Sequence, residues 1–285
     1  MSLTGFAVDL GGTKIAAARM EAGRVAARIQ DRTDAGAGLD EQLTGMAGLL
    51  ASLDYRSGDP LGVAVAGRVD RDGNWHAVNA RTLRAIAAAP LGTRLVQRFG
   101  ENTRAINDAA AAAIAEARIG AGQGARNFAY LTVSTGVGGG IVLDGKLVES
   151  ANGLAGHVGF VSSPKGTRRC GSGRIGTVES VAGGNAIAMA AGLPDARAVF
   201  GSGKHGDLID LAAASIATLI ADLTTILGLD RVAIGGSIGL APGFIDKIRA
   251  QAAAEPALFQ TAIVPAGLGQ DSGLLGALLH CLDKA

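Results

Sequence analysis

The chain has 285 residues, of which 48% are hydrophobic and only 4% aromatic, and its formal charge is +1. That length suffices for two domains and a sizeable core, built from Ala, Val, Leu and Ile rather than from rings. Near-neutral charge without a local run of Lys or Arg leaves no electrostatic footprint for nucleic acid. Two cysteines, Cys170 and Cys281, exclude a disulfide framework.

The opening residues Met1 to Gly5 lack a basic leader region, and Asp9 and two glycines interrupt the apolar run that follows. Neither a signal peptide nor a membrane span is expected there, so the expected compartment is the cytoplasm. Phe6 to Leu10 is a buried strand, Gly11-Gly12-Thr13 a tight turn and Lys14 to Arg19 a returning strand, closed by a hairpin turn from Glu21 to Arg24. Glycines let backbone amides approach an anion closely, Thr13 adds a hydroxyl, and Asp9 can reach a magnesium ion through water. A Gly-Gly hairpin is also a common turn with no ligand at all.

Residues 39 to 53 have the pattern of an amphipathic helix. A second buried strand from Leu61 to Ala66 ends at Gly67-Arg68, and a hairpin turn at Arg71 to Asn74 returns Trp75 to Val78 toward Asn79. Gly67, Arg68 and Asn79 thus fall at strand ends, where polar groups face clefts; Arg68 also suits a solvated surface. A helix from Leu91 to Phe99 leads to Thr103 to Ile106 and then to Asn107-Asp108, at the head of an alanine-rich helix from Ala109 to about Arg118. An Asp at that junction is a seat for a general base, with helix amides stabilising its charge; an ordinary N-cap has the same sequence.

From Ile119 to Asn127 the composition turns to Gly, Ala and Gln, which marks the crossing between a first domain of residues 1–118 and a second of residues 119–285. The second begins as the first does. Phe128 to Val133 is a strand, Ser134 to Gly140 a glycine-rich turn containing Thr135, Gly136, Gly138 and Gly139, and Ile141 to Leu143 the return. Gly153 to Phe160 carries His157, a polar loop runs from Ser162 to Gly176, and Thr177-Val178-Glu179 opens a helix. A lone His and a first-turn Glu each have plain structural uses. Helices follow over Val181 to Ala191 and Leu208 to Leu227, then a strand from Arg231 to Ile234, a Gly235-Gly236-Ser237 turn and a helix from about Pro242. Three anion-friendly turns and one acid together point to phosphoryl transfer.

With those pieces placed, the chain resembles the ROK family of sugar kinases in the actin-like ATPase superfamily. Ala7 to Lys14 is similar to its first phosphate motif, Thr132 to Gly140 to its second, Val232 to Gly239 to its adenosine motif and Ile106 to Ala109 to its catalytic motif. Gly153 to Gly159 is similar to the segment in which the kinases of N-acetylmannosamine carry His where glucokinases carry Glu, and Asp271 to Ala277 matches the final helix. The resemblance implies an α/β fold of two ribonuclease H-like domains with a central interdomain cleft, the last helix packing back on the first domain. It implies that Asp108 takes the proton of the sugar 6-hydroxyl and that Gly67, Arg68, Asn79, Asn107, His157 and Glu179 surround the sugar. ATP would be held by Asp9, Gly11, Gly12, Thr13, Lys14, Thr135, Gly136, Gly138, Gly139, Gly235 and Gly236, with Asp9 on Mg²⁺.

The implied activity is ATP-dependent phosphorylation of N-acetylmannosamine in sialic acid breakdown, by a homodimer without nucleic-acid or membrane partners. Another hexose, N-acetylglucosamine or glucose, is the alternative substrate, and a non-catalytic sugar-binding or regulatory protein the alternative class; a regulator needs a helix-turn-helix ahead of the first phosphate motif, where only a few residues precede Phe6. One departure is chemical. The family's zinc site, a His and three cysteines, corresponds here to Phe160, Cys170, Ser172 and Thr177, which cannot close a tetrahedral shell. No zinc is expected, and the loop from Ser162 to Gly176 must be ordered by packing or hydrogen bonds, or stay mobile until sugar binds.

Overall fold

The computed structural model describes residues 3–79 and 82–283. Met1, Ser2, Lys284 and Ala285, which fall in segments interpreted above, lie outside it, as do Ala80 and Arg81. In chain order β1 (Gly5–Leu10), β2 (Lys14–Glu21) and β3 (Arg24–Arg32) form an antiparallel meander. There follow α1 (Leu39–Ala51), β4 (Leu61–Val65), the short hairpin β5 (Arg68–Val69) and β6 (Trp75–His76), α2 (Leu91–Phe99), β7 (Thr103–Asn107) and α3 (Asp108–Ile119). The second stretch runs β8 (Asn127–Val133), β9 (Val137–Leu143), β10 (Lys146–Leu147), α4 (Glu179–Ala182), α5 (Gly184–Ala191), α6 (Ala196–Ser202), α7 (Gly206–Leu227), β11 (Arg231–Gly235), α8 (Phe244–Ala252) and β12 (Ala262–Pro265). The last helix is α9 (Ser272–Asp283).

Two compact units result. One takes the residues up to Ala115, with Glu149–Ala155 and everything from Gln270 onward; the other takes Glu116–Val148 and Gly156–Gly269. The sequence reading divides the chain once, at residue 118, whereas these units exchange chain four times.

The first unit is a mixed sheet ordered β3-β2-β1-β4-β7, in which β1, β4 and β7 run parallel. Buried strands such as β4, Leu-Gly-Val-Ala-Val with every residue covered, read as continuous apolar runs because helices cover the faces. Leu91, Leu95 and Phe99 recur at helical spacing along α2 and are buried, as are Leu43, Met46 and Leu50 on α1. Each such side chain contributes about 1.5–3 kcal/mol on burial. The closing helix α9 packs on β1, β4 and β7, and its approach is possible because small residues meet there. A methyl group on Gly62 would stand 2.1 Å from the Ala277 carbonyl, and one on Gly276 would stand 1.7 Å from that of Ala111.

The second unit repeats the plan with the order β10-β9-β8-β11-β12, β8, β11 and β12 being parallel. Its core is strung on α7, whose Ala212, Ala213, Ile216, Leu219, Ile220 and Leu223 form one buried stripe. That helix is long and apolar enough to cross a membrane, but the stripe is packed inside the unit.

Four local expectations change. The turn after β8 closes within Ser134–Gly136, so Gly138 and Gly139 lie in β9, opposite Thr132 and Leu131. The helix expected over Val181 to Ala191 breaks at Gly183, extended at φ −66° and ψ 144°, because the amides of Gly184 and Asn185 turn to the carbonyls of Ser134 and Thr135 at 2.8 and 3.0 Å. The return expected from Trp75 to Val78 is a strand only at Trp75 and His76, where the fully buried Trp75 donates its indole N–H to the Ala66 carbonyl at 2.8 Å. Helix α6, capped by Asp195 accepting from Ala198, and the edge strand β12 are additional elements.

Candidate active site

In parallel sheets ligand-binding groups gather at the carboxyl ends of the strands. In the first unit those ends are Leu10 on β1, Val65 on β4 and Asn107 on β7, and they bring together Asp9, the Gly11–Thr13 turn, Gly67, Asn107 and Asp108. The turn after β1 is fixed by the Gly11 amide donating to Lys14 at 2.9 Å and by the Thr33 hydroxyl donating to the Gly11 carbonyl at 2.9 Å. Thr13 and Lys14 are exposed on it. Gly67 is required by its backbone, since at φ +104° a methyl group would also stand 2.4 Å from the His76 carbonyl.

The junction at Asn107-Asp108 separates the two readings its sequence permits. The Asn107 side chain is the cap: its Oδ1 accepts from the Ala110 amide at 2.9 Å, and its Nδ2 donates to the Gly67 carbonyl at 2.6 Å. With that role filled, Asp108 is the first residue of α3 and its carboxylate is available for chemistry. Oδ1 accepts from the Ala109 amide and from Asn107 Nδ2, each at 2.8 Å, while Oδ2 takes no hydrogen bond from another described residue. Burial, and then the nearby negative charge of Asp9, push the Asp108 pKa up to about 7. Burial likewise pushes Asp9 up to about 6, against the pull of Lys14 and Arg28. Asp9 lies beside the first turn of α9, where a methyl group on Gly273 would stand 2.9 Å from its Oδ2.

Arg68 and Asn79 sit further out. Arg68 donates to the Asn152 carbonyl at 2.5 Å, so its guanidinium helps to fasten Glu149–Ala155 to the β5–β6 hairpin. Asn79 accepts from the Thr82 amide at 3.1 Å, and the Thr82 methyl lies against Gly12, where an added methyl group would be 3.0 Å away. Thr33, Thr82 and Arg28 are neighbours of the site that the sequence pattern does not single out. Arg28 is on β3, two strands from Asp9, and only the sheet order brings it near.

In the second unit the turns after β8 and β11 stand side by side. Ile238 and Gly239 donate to the Val133 carbonyl, both at 3.0 Å, and the hydroxyls of Ser134 and Ser237 are 3.4 Å apart. At Gly236, where φ is +86°, a methyl group would stand 2.3 Å from that same carbonyl oxygen. Gly235 fits because Tyr130 fills the space where a side chain would go. His157 stacks face to face on Phe160, ring centres 5.8 Å apart and planes 5° from parallel. Glu179 takes backbone bonds at both oxygens, from Val137 at Oε2 and from Gly171 at Oε1, each at 3.2 Å. Burial pushes its pKa up in spite of those amides. At the four positions of the expected zinc ligands the Cys170 sulfur lies 3.1 Å from the Ser172 hydroxyl, and Thr177 is buried with its hydroxyl accepting from the Ser180 amide at 3.2 Å. Among the described residues no three His, Cys, Asp or Glu side chains are grouped to hold a metal ion.

Both units place glycine turns at parallel strand ends, the plan of the sugar kinases with an actin-like ATPase fold. The ROK hexokinase of Thermus thermophilus superposes with a TM-score of 0.81 at 28% identity, covering 99% of this chain and 98% of that one. The ROK glucokinase of Streptomyces griseus, solved with glucose and AMPPNP, gives 0.82 at 25% identity over 98% and 99%. The ROK family pattern matches residues 5–284, and the chain belongs to that family. N-acetylmannosamine kinase of Escherichia coli strain 55989 is 38% identical over 97% of this chain and 98% of its own, and that of Haemophilus influenzae strain Rd is 36% identical over 97% and 95%.

Proposed function

We propose that the protein is an ATP-dependent kinase that phosphorylates N-acetylmannosamine on its 6-hydroxyl, a step of sialic acid breakdown. The observation that carries the chemistry is the division of labour at the β7–α3 junction: Asn107 caps the helix, which leaves Asp108 as a carboxylate whose raised pKa suits proton transfer near neutrality. Asp108 takes the proton of the sugar hydroxyl as that oxygen forms a bond to the γ-phosphorus; the bond from phosphorus to the bridging oxygen breaks, and ADP leaves with the electron pair. The glycine turns present backbone amides to the phosphates, and Asn107, Gly67, Arg68, Asn79, His157 and Glu179 define the sugar side. In a reaction of this class positioning and charge stabilisation supply most of the rate.

Magnesium is held in such sites by one or two carboxylates together with substrate phosphates and water. Asp9, a half-buried carboxylate beside Asp108 and the first turn, fits that donor set. When bound, the ion would neutralise charge on the phosphates.

The choice of sugar rests on the relatives' names and on His157. Phe160 stacked on that ring is the observation that keeps N-acetylglucosamine and glucose in play. We further infer a cytoplasmic homodimer. Turnover of ATP measured with N-acetylmannosamine, N-acetylglucosamine and glucose side by side tests the reading. Preference for N-acetylmannosamine, lost in Asp108→Asn, is expected, and equal or greater turnover on another sugar refutes the substrate.

A further inference from the structure

The loop from Ser162 to Gly176 lacks the ligands for a metal and yet is a closed structure. Its neck is pinned by the Ser163 amide to the Gly176 carbonyl at 2.8 Å and by the Gly176 amide to that of Arg168 at 2.9 Å. Its tip is a turn in which Cys170 donates to Arg174 at 2.9 Å and Gly173 to Cys170 at 3.1 Å. The base is tied to α7 through the buried hydroxyl pair Ser163 and Ser215, 2.8 Å apart. These bonds shape the loop, but they do not fix its tip to the rest of the unit.

Among the described residues, the hydrogen bond that makes that attachment comes from one side chain. Glu179, the first residue of α4, spreads its carboxylate between the Gly171 amide at the loop tip and the Val137 amide where the second glycine turn enters β9. The fit leaves no spare room: a methyl group on Gly136 would lie 2.3 Å from Oε2. A carboxylate accepting from two amides ties them to one group, and at 3.2 Å each bond is longer than the about 2.7–2.9 Å of a strong charge-assisted pair, so the bridge depends on both. Gly171 lies between Cys170 and Ser172, so the bridge reaches the residues that stand where the family's metal ligands are expected.

We propose that Glu179 is a positioning residue that does the work of the missing metal: its carboxylate staples the loop tip to the second phosphate turn, so that the order of the sugar-side loop and of the nucleotide turn is coupled through a single side chain. The inference rests on the reading of the glycine turns as nucleotide-binding, but the staple itself is a property of the ligand-free protein. A residue acting only as a sugar contact would influence neither the loop nor the nucleotide in the absence of sugar.

The test is hydrogen–deuterium exchange on the full chain without ligands, comparing wild type with Glu179→Gln. Glutamine keeps one acceptor and turns an NH₂ group toward the other amide, so one bond of the two is lost. Exchange at Val137 and over 171–176 is expected to rise by about tenfold, the factor for one hydrogen bond, with β1 and β4 unchanged as the check on folding. In the same variant AMPPNP affinity measured without sugar is expected to fall by a similar factor of about ten. Unchanged exchange in both segments overturns the proposal, and so does unchanged nucleotide affinity. Wild-type protein alone gives a second arm that needs no variant: treatment with a zinc chelator is expected to leave loop exchange as it was, and acceleration by the chelator overturns the proposal. A protein that turns over none of the three sugars yet shows the coupled exchange would refute the proposed reaction while sustaining the staple.

Discussion

Replacing Asp108 by Asn should stabilise the ligand-free protein while abolishing its activity. A carboxyl that binds its proton more tightly in the folded chain than in the unfolded one makes the folded state the more protonated between pH about 4 and about 7, so stability falls as pH rises through that window. Asp108 rises from 3.8 to about 7 for this reason. Fully realised, that difference corresponds to ~4 kcal/mol of lost stability above about pH 7. The residue is half-buried rather than fully enclosed, so solvent screening reduces the figure to about half. The charge also gains ~0.5 kcal/mol from its place in the first turn of α3, which Asn forfeits. The net expectation is a variant more stable by ~1–2 kcal/mol at about pH 8 and equal to wild type at about pH 4. Urea unfolding of both proteins at the two values measures it, alongside turnover, which should fall by about 10²–10⁴-fold. An Asn variant less stable than wild type at the higher pH, or an advantage that grows in acid, would refute the argument that Asp108 is held against its own burial.

Three further outcomes follow from the same geometry. The kcat/KM for sugar should fall as pH drops through about 7, with unit slope, as Asp108 takes up its proton, and a profile flat down to about pH 5 would remove Asp108 as the base. Gly276→Ala, whose methyl group would meet the Ala111 carbonyl backbone at 1.7 Å, should lower stability by ~3 kcal/mol or more, seen as a drop in Tm. Glu116→Ala should cost ~3 kcal/mol or more, because the fully buried carboxylate accepts from Ala121, Gly267 and Leu268 at 2.8, 3.0 and 2.8 Å and alanine orphans all three amides; a variant with unaltered Tm would show that water satisfies them.

Local signals made the strands, the glycine turns and the Asn107-Asp108 junction legible in the sequence. A buried parallel strand is a short apolar run and a tight turn is a glycine pair, and both are written in consecutive residues. What the sequence hides depends on partners far along the chain. Strand β12 is four residues ending in proline, and it becomes a strand only by lying beside β11. The break at Gly183 answers to carbonyls at Ser134 and Thr135, nearly fifty residues earlier. Glu116 sits in an alanine-rich helix where a carboxylate normally faces water, and only the return of 267–268 shows why it is buried. Glu179 is similar: its first-turn position is visible, but the two amides it joins are not.

The packing of α9 on β1, β4 and β7 also bears on how the chain comes into being. The first unit joins the strands β1 to β7 to α9, and the whole of the second unit is synthesised before α9 exists. Until then the sheet face that α9 covers, including Gly62, has no lid, and the emerging chain exposes apolar strand surface of the kind chaperones recognise. The second unit, in contrast, has all its residues once Gly269 has been added. Order of synthesis and order of folding are therefore inverted: the unit that carries β1 is completed only after the unit that follows it in the chain.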